Sequence, residues 1–388
     1  MLKIPVTDTS APVWNIEING SDIGSEAGRF VSHVEYESVD GMADMAKVRL
    51  VNPDNLVSDS KLFQPGNEMT IYAGYATSVE PLGTVKIIRN VPNYPQDGEP
   101  TLNVDGYTMD SDMMENEPPE SKKKKGKGGR RFMDMTYSDI VAERIKDYGF
   151  KPDIDPTEEA ARMCIQKAGM NDYKFVKGIA NIVGYIMWVD KVPSAFGPAE
   201  WTFHFKHPAG LTQDFENVYK YNYHNDTNLL SFRPELLIKG AKTKLVVKVK
   251  DRESGDVFDA EVEELNDAAP DMKSTAAIDE PVDGEYTTAS DIVLAFGGFT
   301  FDVISNRRFS TKAEVTAWAQ QWYRRMRDNF ILSRGRVIGD NTLFARQTHS
   351  IEGIGTAYDG QYYFSKVKHI INSNDGYTCQ FGARKVVP

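Results

Sequence analysis

The chain has 388 residues, and its 45 Lys and Arg against 56 Asp and Glu give a formal net charge of −11, which excludes the broad basic footprint that phosphate binding needs. Its 40% hydrophobic and 26% charged content excludes wholesale disorder, and no run of about 18 apolar residues offers a membrane-spanning helix. At roughly 100–200 residues per domain, the length suggests two or three domains.

The chain opens on Met1-Leu2-Lys3-Ile4-Pro5-Val6-Thr7-Asp8. No basic segment precedes an apolar stretch there, so the protein is expected to be made and assembled in the cytoplasm. Apolar and polar residues then alternate around Trp14, Ile16 and Ile18, at Val48 and Leu50, at Met69, Ile71 and Ala73, at Val85 and Ile87, and at Leu102 and Val104. A period of two puts these side chains on one face of a sheet. Turn signals separate the runs: Asn19-Gly20, Asp40-Gly41, Asn52-Pro53-Asp54, Pro65-Gly66 and Asp97-Gly98. Residues 1–115 are therefore expected to form a small antiparallel barrel or sandwich.

Residues 116–131 follow as a predicted flexible loop. Between 122 and 131 it carries seven positive charges and no apolar side chain, a composition that opposes regular structure. It reads as a solvated loop, or as an arm that docks on an acidic neighbour. An α+β unit is expected over 132–230. Thr136 and Asp139 form a capping box, Tyr137, Ile140, Val141, Ile145 and Tyr148 share a helical face, and Gly149 can close that helix. Residues 157–168 are predicted to be helical, as are 173–183, whereas 185–192 and Trp201, Phe203 and Phe205 read as strands.

A second β region is expected over 231–388. Leu245, Val247 and Val249 point one way and Lys242, Lys244, Lys248 and Lys250 the other. An acidic stretch at about 253–290 has no steady period and reads as an insertion. One helix is expected at about 311–328, with Thr311 and Glu314 as its capping box and Val315, Trp318, Ala319, Trp322 and Met326 as its stripe. Strands at 336–338, 349–351, 362–370 and 377–381 complete the region. Val85-Lys86-Ile87-Ile88-Arg89-Asn90 is echoed by Val367-Lys368-His369-Ile370-Ile371-Asn372 at four of six positions, the trace that two related barrels would leave.

No catalytic, cofactor-binding or metal-ligating residue emerges. His204 and His207 lie three apart, which on one strand points them to opposite faces. Asp110, Asp112, Glu115 and Glu117 lie near prolines and read as a solvated face rather than a glycosidase pair. Gly126-Lys127-Gly128-Gly129 lacks the strand before it and the hydroxyl residue after a Gly-Lys pair that a phosphate loop needs. Cys164 and Cys379 have no metal or redox spacing and read as buried thiols.

Four stretches carry a resemblance to the late control protein D family of phage tail hubs, whose architecture is shared with the head of VgrG proteins in type VI secretion. They are Phe63 to Tyr75 with its Gly-strand-Gly-Tyr pattern, Gly83 to Tyr107, the helix around Trp318 to Arg327 followed by Arg334-Gly335-Arg336-Val337-Ile338-Gly339, and the final hairpin built from Gly360 to His369 and Gly376 to Phe381. The resemblance implies a mainly β fold with an α+β middle and two related small antiparallel β-barrels per chain. It implies a homotrimeric, non-enzymatic baseplate hub that needs no cofactor. Such a hub would join a threefold central spike to a sixfold tail tube and seed tube assembly. Its expected partners are a separate spike protein, a tail tube or tube-initiator protein, and other baseplate proteins including the tape measure protein. The genome would cross its channel without specific binding, and the protein would reside in the virion tail baseplate. Unlike VgrG, the sequence shows no oligonucleotide-binding-type barrel or repetitive needle. The alternatives are a tail-associated cell-wall or polysaccharide hydrolase and a glycan-binding β protein.

Overall fold

A computed structural model describes residues 11–75, 78–115, 129–157, 160–167, 169–193, 198–207, 217–222, 227–236, 244–250, 257–262, 300–305, 312, 315–316, 318–320, 331–355 and 358–386. The protein is mostly β, with antiparallel pairing dominant. The first part supplies β1 (Pro12–Ile18), β2 (Ser21–Asp22), β3 (Val31–Val39), β4 (Met45–Val51), β5 (Glu68–Tyr75), β6 (Ser78–Asn93) and β7 (Thr101–Tyr107), with the short helix α1 (Gly24–Gly28) after β2. The expected alternation governs it: Ile16, Val48, Leu50, Met69, Ile71, Ala73, Val85 and Val104 are all fully buried. Each large aliphatic side chain taken out of water contributes roughly 1.5–3 kcal/mol. A one-residue slip would turn the whole set to solvent, so burial fixes the register. Asn19 and Gly20 both take positive φ (51° and 76°), which makes the two-residue turn between β1 and β2 that an Asn-Gly pair favours.

The middle unit contains α2 (Asp110–Glu115), β8 (Gly129–Thr136), α3 (Tyr137–Ile145), β9 (Lys151–Ile154), β10 (Ala160–Lys167), α4 (Asp172–Val183), β11 (Ile186–Val192) and β12 (Glu200–Lys206). β9, β11 and β12 make one small sheet and β8 with β10 another. Thr136 caps α3 as expected, its hydroxyl accepting from Asp139 N at 3.1 Å, and Asn171 caps α4 by accepting from Lys174 N at 2.8 Å. Ile140, Val141, Ile145, Phe175, Val176 and Ile179 pack with Phe203 and Phe205 in a core of their own.

Three expectations are corrected here. Residues 160–167 are not helical but pair antiparallel with β8, Met163 opposite Met133 and Cys164 opposite Phe132; tertiary pairing overrides the local pattern. The predicted loop at 116–131 ends earlier, because Gly129, Arg130 and Arg131 already pair with Lys167, Gln166 and Ile165; its remaining residues lie outside those described. The acidic insertion at about 253–290 contains the strand β16 at 257–262, which pairs with its neighbour and so has regular structure; the rest of that stretch also lies outside.

The last part supplies β13 (Val218–Lys220), β14 (Leu229–Leu236), β15 (Lys244–Lys250), β16 (Val257–Val262), β17 (Thr300–Ser305), β18 (Ile331–Ile338), β19 (Gln347–Glu352), β20 (Gly360–Asn372) and β21 (Gly376–Lys385). β15, β16 and β17 form a separate three-stranded sheet, in which Val247 is buried and Lys248 exposed, the alternation expected of this strand. Of the helix expected at about 311–328, residues 312, 315–316 and 318–320 are helical, with Val315 and Ala319 fully buried.

The remaining strands of the last part repeat the order of the first. Neighbours run β3-β4-β7-β6-β5-β1 in one and β14-β18-β21-β20-β19-β13 in the other. Listed in chain order, the strands of the two sets correspond one to one. All pairs are antiparallel except the last of the second set, where β13 runs parallel to β19. The sequence echo falls on β6 and β20, the fifth strand of each set. The two sets are joined edge to edge, because β20 pairs antiparallel with β3 from Lys366 opposite Val39 to Asn372 opposite His33. One continuous thirteen-stranded sheet and one hydrophobic core result.

Gly74 shows how closely the two sets meet. A Cβ there would lie 1.8 Å from Ser78 O and 2.9 Å from Asn341 Nδ2, and that Asn341 amide donates to Ala73 O (3.1 Å) and Ser78 O (2.8 Å) across the boundary. Gly74→Ala is expected to destabilise the protein by about 1–3 kcal/mol, as overpacking does. A chemical-denaturation midpoint equal to the parent's would contradict this.

Candidate functional site: a buried charge cluster where three units meet

Asp44 follows the Asp40-Gly41 turn between β3 and β4, and Arg346 lies just before β19 with a left-handed backbone (φ 72°). Their side chains are 6% and 9% exposed. Arg346 Nη2 donates to Asp44 Oδ2 at 3.0 Å and Nη1 to Val39 O at 3.0 Å. Val39 N and Tyr36 OH also donate to Asp44, at 3.2 and 3.4 Å. Asp44 N donates to Thr108 Oγ1, whose hydroxyl in turn donates to Asp110 Oδ1 at 2.6 Å. The Arg346 guanidinium lies 5.5 Å from the centre of the Trp188 ring on β11, and Trp188 stacks on His204 of β12 at 4.5 Å. One chain of contacts thus joins both strand sets to the middle unit. Lys177 of α4 adds a bond to Gly41 O at 2.6 Å.

Burial pushes the Asp44 carboxyl up while Arg346 and the Val39 amide pull against it. Burial opposes the Arg346 charge, but Asp44 more than offsets that and holds the proton more firmly. Asp110, at the first position of α2, is pushed up to about 7 by burial, with Thr108 opposing and the Asp44 charge adding. The sequence placed Asp110 on a solvated face. It is 2% exposed because α2 turns its first residue into the cluster, so it belongs with Thr108 and Asp44 and not with Asp112 and Glu115.

His204 is held between two carboxylates, Nδ1 to Asp153 at 2.7 Å and Nε2 to Asp190 at 2.9 Å. Burial lowers its pKa, but Asp190 and then Asp153 raise it further, so the imidazolium is favoured. A ring whose two nitrogens both donate has no lone pair for a metal. His207 lies apart from it, edge-on to Tyr185 at 5.4 Å.

Sequence reasoning did not single out the cluster of His369, Tyr377 and Cys379. Cys379 Sγ lies 3.3 Å from His369 Nδ1, which is 2.8 Å from Tyr377 OH. Cys379 and His369 are fully buried. Burial pushes the thiol up and drives the imidazole down to about 4, so both are neutral and shielded from any substrate. The group is a packed junction, with Tyr377 against Tyr75 of β5 at 5.9 Å. Cys164 is half-buried. A cleft of about 370 Å³ between Glu68, Tyr148, Lys151, Lys191, Glu200 and Trp201 is partly closed by Glu68, which accepts from Lys191 and from Trp201 Nε1 (3.0 Å).

In sequence, residues 13–193 match the family described as the Alg8 N-terminal domain, a span below half the chain. No curated protein matches it. Solved structures do share the fold. The 43 kDa tail protein of prophage MuSo2 from Shewanella oneidensis aligns at TM-score 0.66 and 11% identity, covering 97% of this chain and 98% of its own. A tail protein from Neisseria meningitidis MC58 aligns at TM-score 0.64 and 10% identity, covering 97% and 96%. The E. coli c3393 protein aligns at TM-score 0.55 and 9% identity, covering 96% and 76%; it is described as a type VI secretion component structurally similar to the T4 tail proteins gp27 and gp5. The fold of this chain is therefore one found in phage tail and type VI secretion proteins.

Asp44→Ala would strand the Arg346 charge in the interior and is expected to cost about 3–5 kcal/mol, whereas Asp44→Leu combined with Arg346→Met should recover most of that loss. Urea titrations of the two variants test the pair, and a mild effect of the single change would refute its burial.

The Asp110 shift has a defined sign. Between 3.8 and about 7 the folded carboxyl keeps a proton that the unfolded chain has released, so stability falls as pH rises through that interval. His204 adds a fall at higher pH, its contribution being complete below 6.5 and lost through its raised folded value. Asp110→Asn should flatten the lower part of the curve. Thermal melts across the interval check this, and an unchanged slope would remove Asp110 as the source.

Proposed function

We propose that the chain is the structural hub of a contractile phage or phage-like tail, a homotrimeric symmetry adaptor that joins a threefold central spike to a sixfold tail tube and seeds tube assembly. The observation that carries this reading is the repeated strand order within one chain. Three copies present six similar sheets on one side of the assembly while keeping threefold symmetry on the other, and a closed ring satisfies every heterologous interface. The fold shared over almost the full length of two tail proteins supports it.

In this reading the two β-barrels, expected at 1–115 and 231–388, are the two strand sets, the second of which already begins at β13 (Val218–Lys220), and the α+β domain expected at 132–230 is the unit from α2 to β12 between them. The spike and the tube or tube-initiator are separate proteins that dock on opposite ends. The tape measure protein and other baseplate components are neighbours, and the genome crosses the channel without specific contacts. The protein sits in the tail baseplate of the particle, after assembly in the host cytoplasm. Its work is mechanical and geometric, with no catalytic step, cofactor or metal. The copy number in the purified tail tip, measured by quantitative mass spectrometry or by electron microscopy, tests the reading. Three copies per tip are expected; six or twelve would make the chain a tube or wedge component.

A further inference from the structure

The small sheet of the middle unit ends in an open cleft of about 370 Å³, which faces β5 of the thirteen-stranded sheet. β9 and β12 run parallel and both begin at this end, while β11, antiparallel to β12, finishes there. Three strand ends therefore deliver Lys151, Lys191, Glu200 and Trp201 to one place. Glu68, the first residue of β5, closes the other side. Its backbone N–H donates to Asn19 Oδ1 at 2.9 Å and its carbonyl accepts from Asn19 N at 2.9 Å, so the Asn19-Gly20 turn fixes where the carboxylate stands. Tyr148 completes the wall. Its hydroxyl donates to Asp172 Oδ2 at 2.8 Å and its ring stacks on Phe150 at 5.7 Å, so what it can offer the cleft is ring surface.

The chemistry of the lining selects among ligands. Among the described residues its charges are two carboxylates and two ammonium groups, paired as Glu68 with Lys191 and Glu200 with Lys151 (3.5 Å). Two neutralised pairs leave no net field to draw in a phosphate, an acidic peptide or a cation. They do leave hydrogen-bonding capacity, since a carboxylate has about four lone-pair positions and an ammonium three protons, and each pair uses only some of them. Trp201 donates its indole N–H to Glu68 at 3.0 Å, and Lys191 Nζ lies 5.9 Å from its ring centre, so the ring is held in place. Lys151 and Glu200 are 60% and 53% exposed and keep the mouth open. Aromatic rings beside closely spaced donors and acceptors, with the charge balanced, complement a neutral polyol whose ring presents C–H groups on a face and hydroxyls around its rim. The volume lies at the small end of the range for ligand sites, roughly 300–1,000 Å³.

We infer that this cleft binds a neutral saccharide, one pyranose unit lying against Trp201 and Tyr148 with its hydroxyls bonded to Glu68, Lys191, Glu200 and Lys151. Burial works to raise the Glu68 carboxyl, but Lys191 and Trp201 outweigh it and hold it below its ordinary value. It therefore serves as an acceptor and not as the general acid that glycoside cleavage requires, and the sugar is held without being cut. The site does not depend on how subunits are arranged, so the hub reading stands or falls by copy number independently of it.

The test is saturation-transfer NMR on the full-length protein with the methyl glycosides of glucose, galactose and N-acetylglucosamine, and with glucosamine and N-acetylneuraminic acid as charged comparators. Transfer to at least one neutral glycoside is expected, strongest at its ring C–H protons. Trp201→Ala, and Lys151→Ala combined with Glu200→Ala, should each weaken that binding about tenfold, whereas Trp201→Phe keeps an aromatic wall and should retain most of it. The double variant changes only exposed side chains, so it decides the matter even if Trp201→Ala fails to fold. Binding that persists undiminished in these variants would overturn the site, as would the absence of transfer to every neutral glycoside up to its solubility limit. A preference for either charged sugar would overturn the argument from balanced charge. A trisaccharide of the bound unit that binds more tightly than the single unit would identify a polymer as the source, and equal affinity a free sugar; either result supports the site.

Discussion

The architecture depends on one buried ion pair. Arg346 and Asp44 come from opposite parts of the sheet, and neither charge can be tolerated inside without the other. Val39 and Tyr36 bond directly to the charged groups and offset part of their desolvation, while Thr108 accepts from the Asp44 backbone N–H and fixes where that residue sits. Trp188 then covers the guanidinium from the middle unit. A contact of this kind adds little net stability over apolar packing. What it adds is an all-or-none condition: the two strand sets and the α+β unit are held in one relative arrangement, because a small displacement would leave a charge unpaired in a medium of low dielectric. For a protein whose proposed role is to present fixed geometry to other subunits, that rigidity matters more than a gain in stability.

The seam between β20 and β3 shows the same economy on both faces. Val34, Tyr36, Val367, His369 and Ile371 are buried on one side. On the other, Lys366 reaches Glu37 at 2.9 Å, and Lys368 reaches Glu35 at 3.1 Å and Glu37 at 3.3 Å. The ions are partly exposed and worth little singly, but lysines on one strand and glutamates on the other reward one register and penalise like-charge alternatives. Sheet pairing between distant segments is thereby made specific without any loop to guide it.

Local order was legible in the sequence wherever one face is buried. The alternations at Ile16 and Ile18, at Val48 and Leu50 and at Met69, Ile71 and Ala73, and the helical stripe of α4, all lie where periodicity puts them, because period and burial are two descriptions of the same constraint. The strand at 160–167 was illegible because its pairing with β8 is decided across the intervening α3 and β9. Asp110 misled for a related reason: acidic residues beside prolines are usually solvated, and only the position of Thr108 relative to Asp44 draws this one inward. Arg346 carries no local mark at all. Its role arises from partners about three hundred residues away in the chain, and a single sequence holds no signal for such a contact. The internal echo between β6 and β20 was faint because the repeat is preserved in strand order rather than in side chains.

The seam has a consequence for how the protein comes into being. β3 emerges from the ribosome early, yet its partner β20 is among the last segments made; Glu35 and Lys368 are separated by 333 positions. At ordinary rates of synthesis, roughly 5–20 residues per second, the edge of β3 waits many seconds for its partner. The middle unit, with a core of its own, can condense during that interval, but the main sheet stays incomplete until the last strands are made. Nascent chains on one message would expose the same unsatisfied edge at the same time, and a neighbouring chain's β20 could fill it as well as the chain's own. Such an exchange would yield interlocked subunits through the strand types that complete a single one, so slow translation of the last third or a chaperone that shields β3 would decide which product forms.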